Sequence, residues 1–161
     1  MNPMNPKIAI ALIWLMTLLP PIVVGALSAI QKSDAWQSTR PAFAPPAAVF
    51  PVVWSLLYVA AATALTLQIF RTSGTATNQA VKWTAVALVW AQLIIGFAWP
   101  LVWNANHPVA SIYMILGMLA LLMPGIVLTS RVNIAAAALW SVMAVWLVFA
   151  LMLSIASLKQ P

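Results

Sequence analysis

Cysteine is absent from this chain of 161 residues, and acid is nearly so: Asp34 stands alone against seven lysines and arginines. Without cysteine there is no disulfide framework, no thiol nucleophile and no thiolate metal site. Without a second carboxylate there is no acid pair for general acid–base work, and neither a GxSxG elbow nor a glycine-rich phosphate loop occurs. The one histidine, His107, falls in a turn with no partner at metal-ligand spacing and reads as an ordinary interfacial side chain. No predicted helix interior carries an ionisable residue, so a proton relay or ion-coupled exchanger has nothing to run on. Hydrolysis and phosphoryl transfer are thereby set aside, and these residues require no resident cofactor.

What the chain does have is apolar surface. Hydrophobic residues make up 65% of it and charged ones 5%, with a mean hydropathy of +1.04, well beyond the needs of a soluble core. A spanning helix takes about 20 apolar residues. Uncharged stretches of that kind predict an all-α integral membrane protein, a single-domain bundle of five transmembrane helices at about residues 8–30, 47–70, 80–103, 108–130 and 134–158. The net charge of +6 lies in loops and at helix ends, which suits contact with the headgroups of a lipid bilayer and not nucleic acid. Lys7, Arg71, Lys82 and Arg131 fall on one side of the bundle and Lys32, Arg40 and Lys159 on the other, too even a split to orient a multi-pass protein.

Prolines punctuate these runs. Pro20 and Pro21 predict a kink in the first helix, and Pro124-Gly125 a kink or break in the fourth. A cleavable signal is the rival reading of the N-terminal run, but that run is long for one, so retention as the first span is expected. Residues 31–46 form the one long loop, and a loop of that length in a compact chain is more often functional than idle. Its Pro41, Pro45 and Pro46 forbid regular helix before Ala47.

Aromatics are the other surplus: nine Trp, five Phe and two Tyr. An interfacial belt accounts for Trp14, Trp36, Trp83 and Trp140 near predicted helix ends. Phe50, Trp54 and Tyr58 instead recur four residues apart and stack along one face of the second helix. On the third, Gln92, Gly96, Trp99 and Trp103 share a face, and a glutamine directed at lipid would leave its amide unpaired. Gln92 is expected to point inward, as packing glue or as a ligand contact.

The run RPAFAPPAAVFPVVWSLLY from Arg40 to Tyr58, preceded by GAL and Trp36 and followed by AQLIIGFAWP and WLVFALMLS, resembles the translocator protein family, also called tryptophan-rich sensory proteins or peripheral benzodiazepine receptors. The resemblance spans essentially the whole chain, and its most specific part is the Pro, Phe, Trp and Tyr spacing from Pro41 to Tyr58. It implies a five-helix bundle, commonly a homodimer, that binds porphyrin, haem or similar hydrophobic ligands beneath a capping loop. It further implies that Trp54 and Trp146 are the pocket tryptophans. With them go Phe50, Tyr58, Gln92, Gly96, Trp99, Phe149 and Ser154 as lining, and Trp36, Arg40, Pro41, Phe43, Pro45 and Pro46 as the cap.

The chain also departs from the family pattern. Gln37 follows Trp36 where a tyrosine is usual, Phe43 and Ala48 replace tryptophans, and Gly96 and Ser154 replace asparagines. Smaller groups therefore stand where much of the usual lining would be. No cholesterol-type pattern surrounds Tyr58 or Tyr113. The expected activity is that of a tetrapyrrole receptor or carrier, in transport or stress signalling. Two other classes remain: an enzyme degrading porphyrin in light, with Trp54 and Trp146 as oxidisable groups, and a non-catalytic scaffold.

Overall fold

The computed structural model describes residues 5–30, 41–71, 76–105 and 107–158. The described residues form five helices: α1 (Pro6–Ile30), α2 (Val49–Ile69), α3 (Ala76–Asn104), α4 (Pro108–Ser130) and α5 (Ile134–Ser157). All five are long and apolar enough to cross a membrane, and no strand occurs among the described residues. Trp36 and Arg40 lie outside the described residues.

Helix starts follow from local chemistry. Asn5 Oδ1 accepts from the backbone N–H of Lys7 at 3.0 Å, with Pro6 in the first turn, where its missing donor costs nothing. Before α2, two turns fold the proline segment: Ala44 N–H donates to Pro41 O at 2.9 Å, and Val49 N–H to Pro46 O at 2.9 Å. Pro108 opens α4 in the same way as Pro6 opens α1. Asn133 caps α5, accepting from Ala135 and Ala136 at 3.0 and 3.1 Å.

One sequence expectation is narrowed and a second corrected: of the kink or break expected at Pro124-Gly125, the break does not occur. α4 runs unbroken through Pro124-Gly125. A Cβ on Gly125 would lie 3.0 Å from Val89 Cγ1 and 3.6 Å from Leu88 Cβ of α3. The glycine therefore serves a close helix crossing and does not end the helix, while membrane helices accommodate the neighbouring proline without unwinding. α3 begins at Ala76, ahead of the hydropathy estimate, so Lys82 sits in its second turn and is buried. Lys82 Nζ donates to the carbonyls of Ile69 (3.1 Å) and Arg71 (3.2 Å), closing the C-terminal end of α2, where a cation complements the helix dipole.

The helices close into a ring in the order α1, α2, α5, α4, α3, with the most extensive packing between α3 and α4 and then between α4 and α5. α2 and α3 also face each other across the ring but approach only sparsely. α1 lies against both of them, and 11% of its span is buried, against at least 28% for each of the other four. Three hydroxyls inside the bundle are satisfied within their own helix: Thr17, Thr66 and Ser154 donate to the carbonyl four residues back at 2.7–2.8 Å.

Candidate functional site

The sparse approach of α2 to α3 is filled by rings. Trp54 of α2 is at the centre. Its indole lies 5.7 Å from Tyr58, 5.8 Å from Trp99 of α3 and 6.4 Å from Trp146 of α5, edge-on to the last at 89°. Phe50 meets Trp146 at 5.9 Å, and Trp146 meets Phe149 at 5.3 Å. On the α3 side Trp99 stacks on Trp103 at 5.4 Å, and Tyr58 meets Phe97 at 5.6 Å. Eight rings from three helices thus form one continuous cluster at the end of the bundle where the proline loop enters α2. Each of these centroid separations falls in the range where aromatic pairs attract beyond their buried area.

The four-residue spacing of Phe50, Trp54 and Tyr58 brings all three to the cluster. Tyr58 ties α2 to α3, its hydroxyl donating to Gly96 O at 3.5 Å. A Cβ on Gly96 would be at ordinary contact distance, 3.4 Å from Met118 Sδ and 3.9 Å from the Tyr58 hydroxyl oxygen, so the approach of Tyr58 does not itself demand a glycine here. Gln92 faces inward, 1% exposed, with Oε1 unpartnered. The indole nitrogens of Trp99 and Trp146 are likewise buried without a partner. An aromatic enclosure therefore contains two donors and one acceptor that the protein leaves uncommitted, the composition expected of a hydrophobic ligand site with a few orienting polar groups.

The remaining sequence candidates divide. Ser154 is buried, but its hydroxyl is committed to Ala150 O at 2.8 Å. In the loop, Pro41 is buried and Pro45 half-buried, whereas Pro46 is exposed and Phe43 is 54% exposed. Two residues escaped the sequence reading. Phe97 is adjacent to Gly96 and so off the face counted from Gln92; only the position of Tyr58 across the gap recruits it. Ser111 of α4, fully buried with Oγ unpartnered among the described residues, belongs to no motif or stripe that marks it in the sequence. Trp140, assigned above to the interfacial belt, is fully buried instead, because α5 turns that face to the bundle centre. Trp83 does behave as a belt residue, 52% exposed, with Lys82 Nζ 5.2 Å from its ring centroid.

The rings pack on one another, and two hollows lie elsewhere. One of about 430 Å³ is lined by His107, Pro108 and Tyr113 at the start of α4. The other, of about 390 Å³, is the outer groove between α4 and α5, lined by Met123, Ile126 and Val145 among others. Entry of a ligand into the cluster would require the rings to part, along the α2–α3 seam where the helices hold each other least.

No individual curated protein matches the chain. The profile of the TspO/MBR family does, over residues 9–159. That match takes in all of α2 to α5 and nearly all of α1, and with it both sides of the aromatic cluster, so the chain belongs to the TspO/MBR family.

Proposed function

We propose that this protein is a membrane receptor or carrier that takes a flat hydrophobic ligand, a tetrapyrrole such as protoporphyrin or haem, between the aromatic faces of α2, α3 and α5. Membership of the family implies a membrane ligand-binding or transport role; the choice of ligand rests on the site. The observation that supports it is the ring cluster centred on Trp54 with uncommitted N–H groups on Trp99 and Trp146 and an uncommitted carbonyl on Gln92. A macrocycle offers stacking area to the indoles and carries polar groups for buried donors and an acceptor to orient. Its acidic edge suits the basic loop residues Lys32 and Arg40.

The test is a titration of the purified protein with protoporphyrin and with haem, read by tryptophan quenching. Saturable quenching that weakens when Trp54 and Trp146 are both replaced by alanine is the expected result. Equal binding by a folded, dispersed double variant would place the ligand elsewhere. Absence of saturable binding together with a copurifying partner would favour a scaffold. The close Trp54–Trp146 contact also keeps the photo-oxidative reading in view, and product formation under illumination of the bound complex distinguishes it from binding alone.

A further inference from the structure

The half of the bundle remote from the aromatic cluster holds three polar side chains that are 0% exposed and lack a partner among the described residues: Gln68 of α2 (both amide atoms), Thr129 of α4 (Oγ1) and Trp140 of α5 (Nε1). Nothing in the proposed ligand site uses them. Leaving such groups dry costs about 1–3 kcal/mol each, and the bundle shows a cheaper local solution that Thr129 does not take. Thr17, Thr66 and Ser154 each bond the carbonyl one turn back, whereas the Thr129 hydroxyl has no such bond.

Register places the three groups in the same half of the bundle, with Trp140 about two turns deeper than Gln68. Asn133 Nδ2 donates to Leu67 O at 3.5 Å, and Trp54 meets Trp146 further along the same pair of helices, which fixes the antiparallel register of α2 and α5. Gln68 is next to Leu67, and Trp140 is two turns into α5. Side chains lean toward the N-terminus of their own helix. Gln68 therefore leans toward the membrane centre and Trp140 back toward the helix end, which narrows the offset between them to a span that water can bridge. Thr129 is in the last turn of α4, its carbonyl accepting from Val132 and Asn133 at 2.9 and 2.8 Å, so it belongs to the same end and leans the same way as Gln68. Arg71 and Arg131, both exposed, flank this end, placing headgroup water within about a turn or two of the three groups.

We infer that Gln68, Thr129 and Trp140 form a second, polar site that binds a small cluster of ordered water and joins α2, α4 and α5 through it. The donor and acceptor set fits. Gln68 supplies two N–H donors and a carbonyl, Thr129 a hydroxyl that does either, and Trp140 one N–H, which gives a bridging water the two to four partners it needs. A cation finds no carboxylate there. The nearby Lys82 ammonium is committed to Ile69 O and Arg71 O, and an anion would leave the Gln68 carbonyl facing a negative charge.

The experiment is proton–nitrogen correlation spectroscopy of the full chain with labelled tryptophan, in bilayer nanodiscs. The Trp140 indole signal is identified by its loss in Trp140→Phe. A cross-peak between that indole proton and long-lived water is expected, as is its loss or marked reduction in Gln68→Leu and, should that variant misfold, in Thr129→Val. Each single variant should lower the unfolding midpoint, whereas the triple variant Gln68→Leu, Thr129→Val, Trp140→Phe should recover part of that loss, because no orphaned partner remains. Quenching by protoporphyrin should be unchanged in Gln68→Leu. The inference is overturned if Trp140 shows no water contact, if its signal ignores both Gln68→Leu and Thr129→Val, or if it follows chloride concentration when chloride is exchanged for gluconate.

Discussion

At the scale of single residues, the aromatic rings and not the charges should carry affinity. Stacking gains about 0.5–1.5 kcal/mol per aromatic pair beyond area burial, whereas a solvent-screened ion contact is worth at most about 1 kcal/mol. Trp54→Phe or Trp146→Phe should therefore weaken protoporphyrin binding modestly and the alanine variants more, while Arg40→Ala should act mainly at low salt, where screening is weak. Quenching titrations at two ionic strengths check this, and a larger loss from Arg40→Ala at physiological salt would overturn the ranking. Gln92→Leu separates packing from recognition. Its Oε1 is buried and unpartnered, so removing it relieves an unpaired acceptor. Thermal stability should hold or rise, and ligand affinity should fall about tenfold if the carbonyl takes a ligand hydrogen bond of about 1 kcal/mol or a little more. A loss of stability with unchanged affinity would make Gln92 packing glue.

At the scale of the helix, two glycines on long apolar runs make opposite predictions. Gly125→Ala must displace Val89, whose Cγ1 is 3.0 Å from the new atom, and overpacking of this kind costs about 1–3 kcal/mol. Gly25→Ala meets nothing within 4 Å and should only gain from the better helix propensity of alanine, about 1 kcal/mol or less. Unfolding midpoints in detergent should thus move down for the first and stay or rise for the second. Asn133→Ala should cost about 1 kcal/mol through the lost α5 cap, and somewhat more through its bond to Leu67. The number and placing of the helices were legible in the sequence because each span must satisfy its backbone internally and hide from water by length and composition alone. The continuity of α4 was not, because whether Pro-Gly ends a helix depends on the neighbour it packs against. Nor was the burial of Lys82, whose partners Ile69 O and Arg71 O come from the end of another helix. Face counting found Trp54, Trp99 and the inward turn of Gln92, since those lie on one-helix stripes. It missed Phe97, which joins the cluster only across the α2–α3 gap.

At the scale of the whole molecule, the outer surface and the seam raise separate questions. Ala87 and Ala98 of α3 are exposed beside Ile94, which is 62% exposed, and Ala91 is half-buried, so the small-residue spacing Ala87–Ala91 permits close approach of a second copy. A homodimer through this face agrees with the family resemblance, and cross-linking in lipid that captures monomer alone at every density would remove it. The seam bears on how the ligand enters. α2 and α3 touch only sparsely, the rings of Trp54, Tyr58 and Trp99 bridge them, and α1, the least buried helix, lies over both. Few buried contacts mean low local stability, so α1 should exchange its amide hydrogens faster than α3, α4 and α5 in micelles. Protoporphyrin, wedged among the rings, should slow exchange at the loop-proximal ends of α2, α3 and α5 while leaving the Thr129 and Trp140 end unchanged. Hydrogen exchange with and without ligand reads both effects in one experiment. Protection concentrated around Gln68 and Trp140 instead would move the ligand to the polar end of the bundle, and the aromatic cluster would then be a hydrophobic core joining three helices.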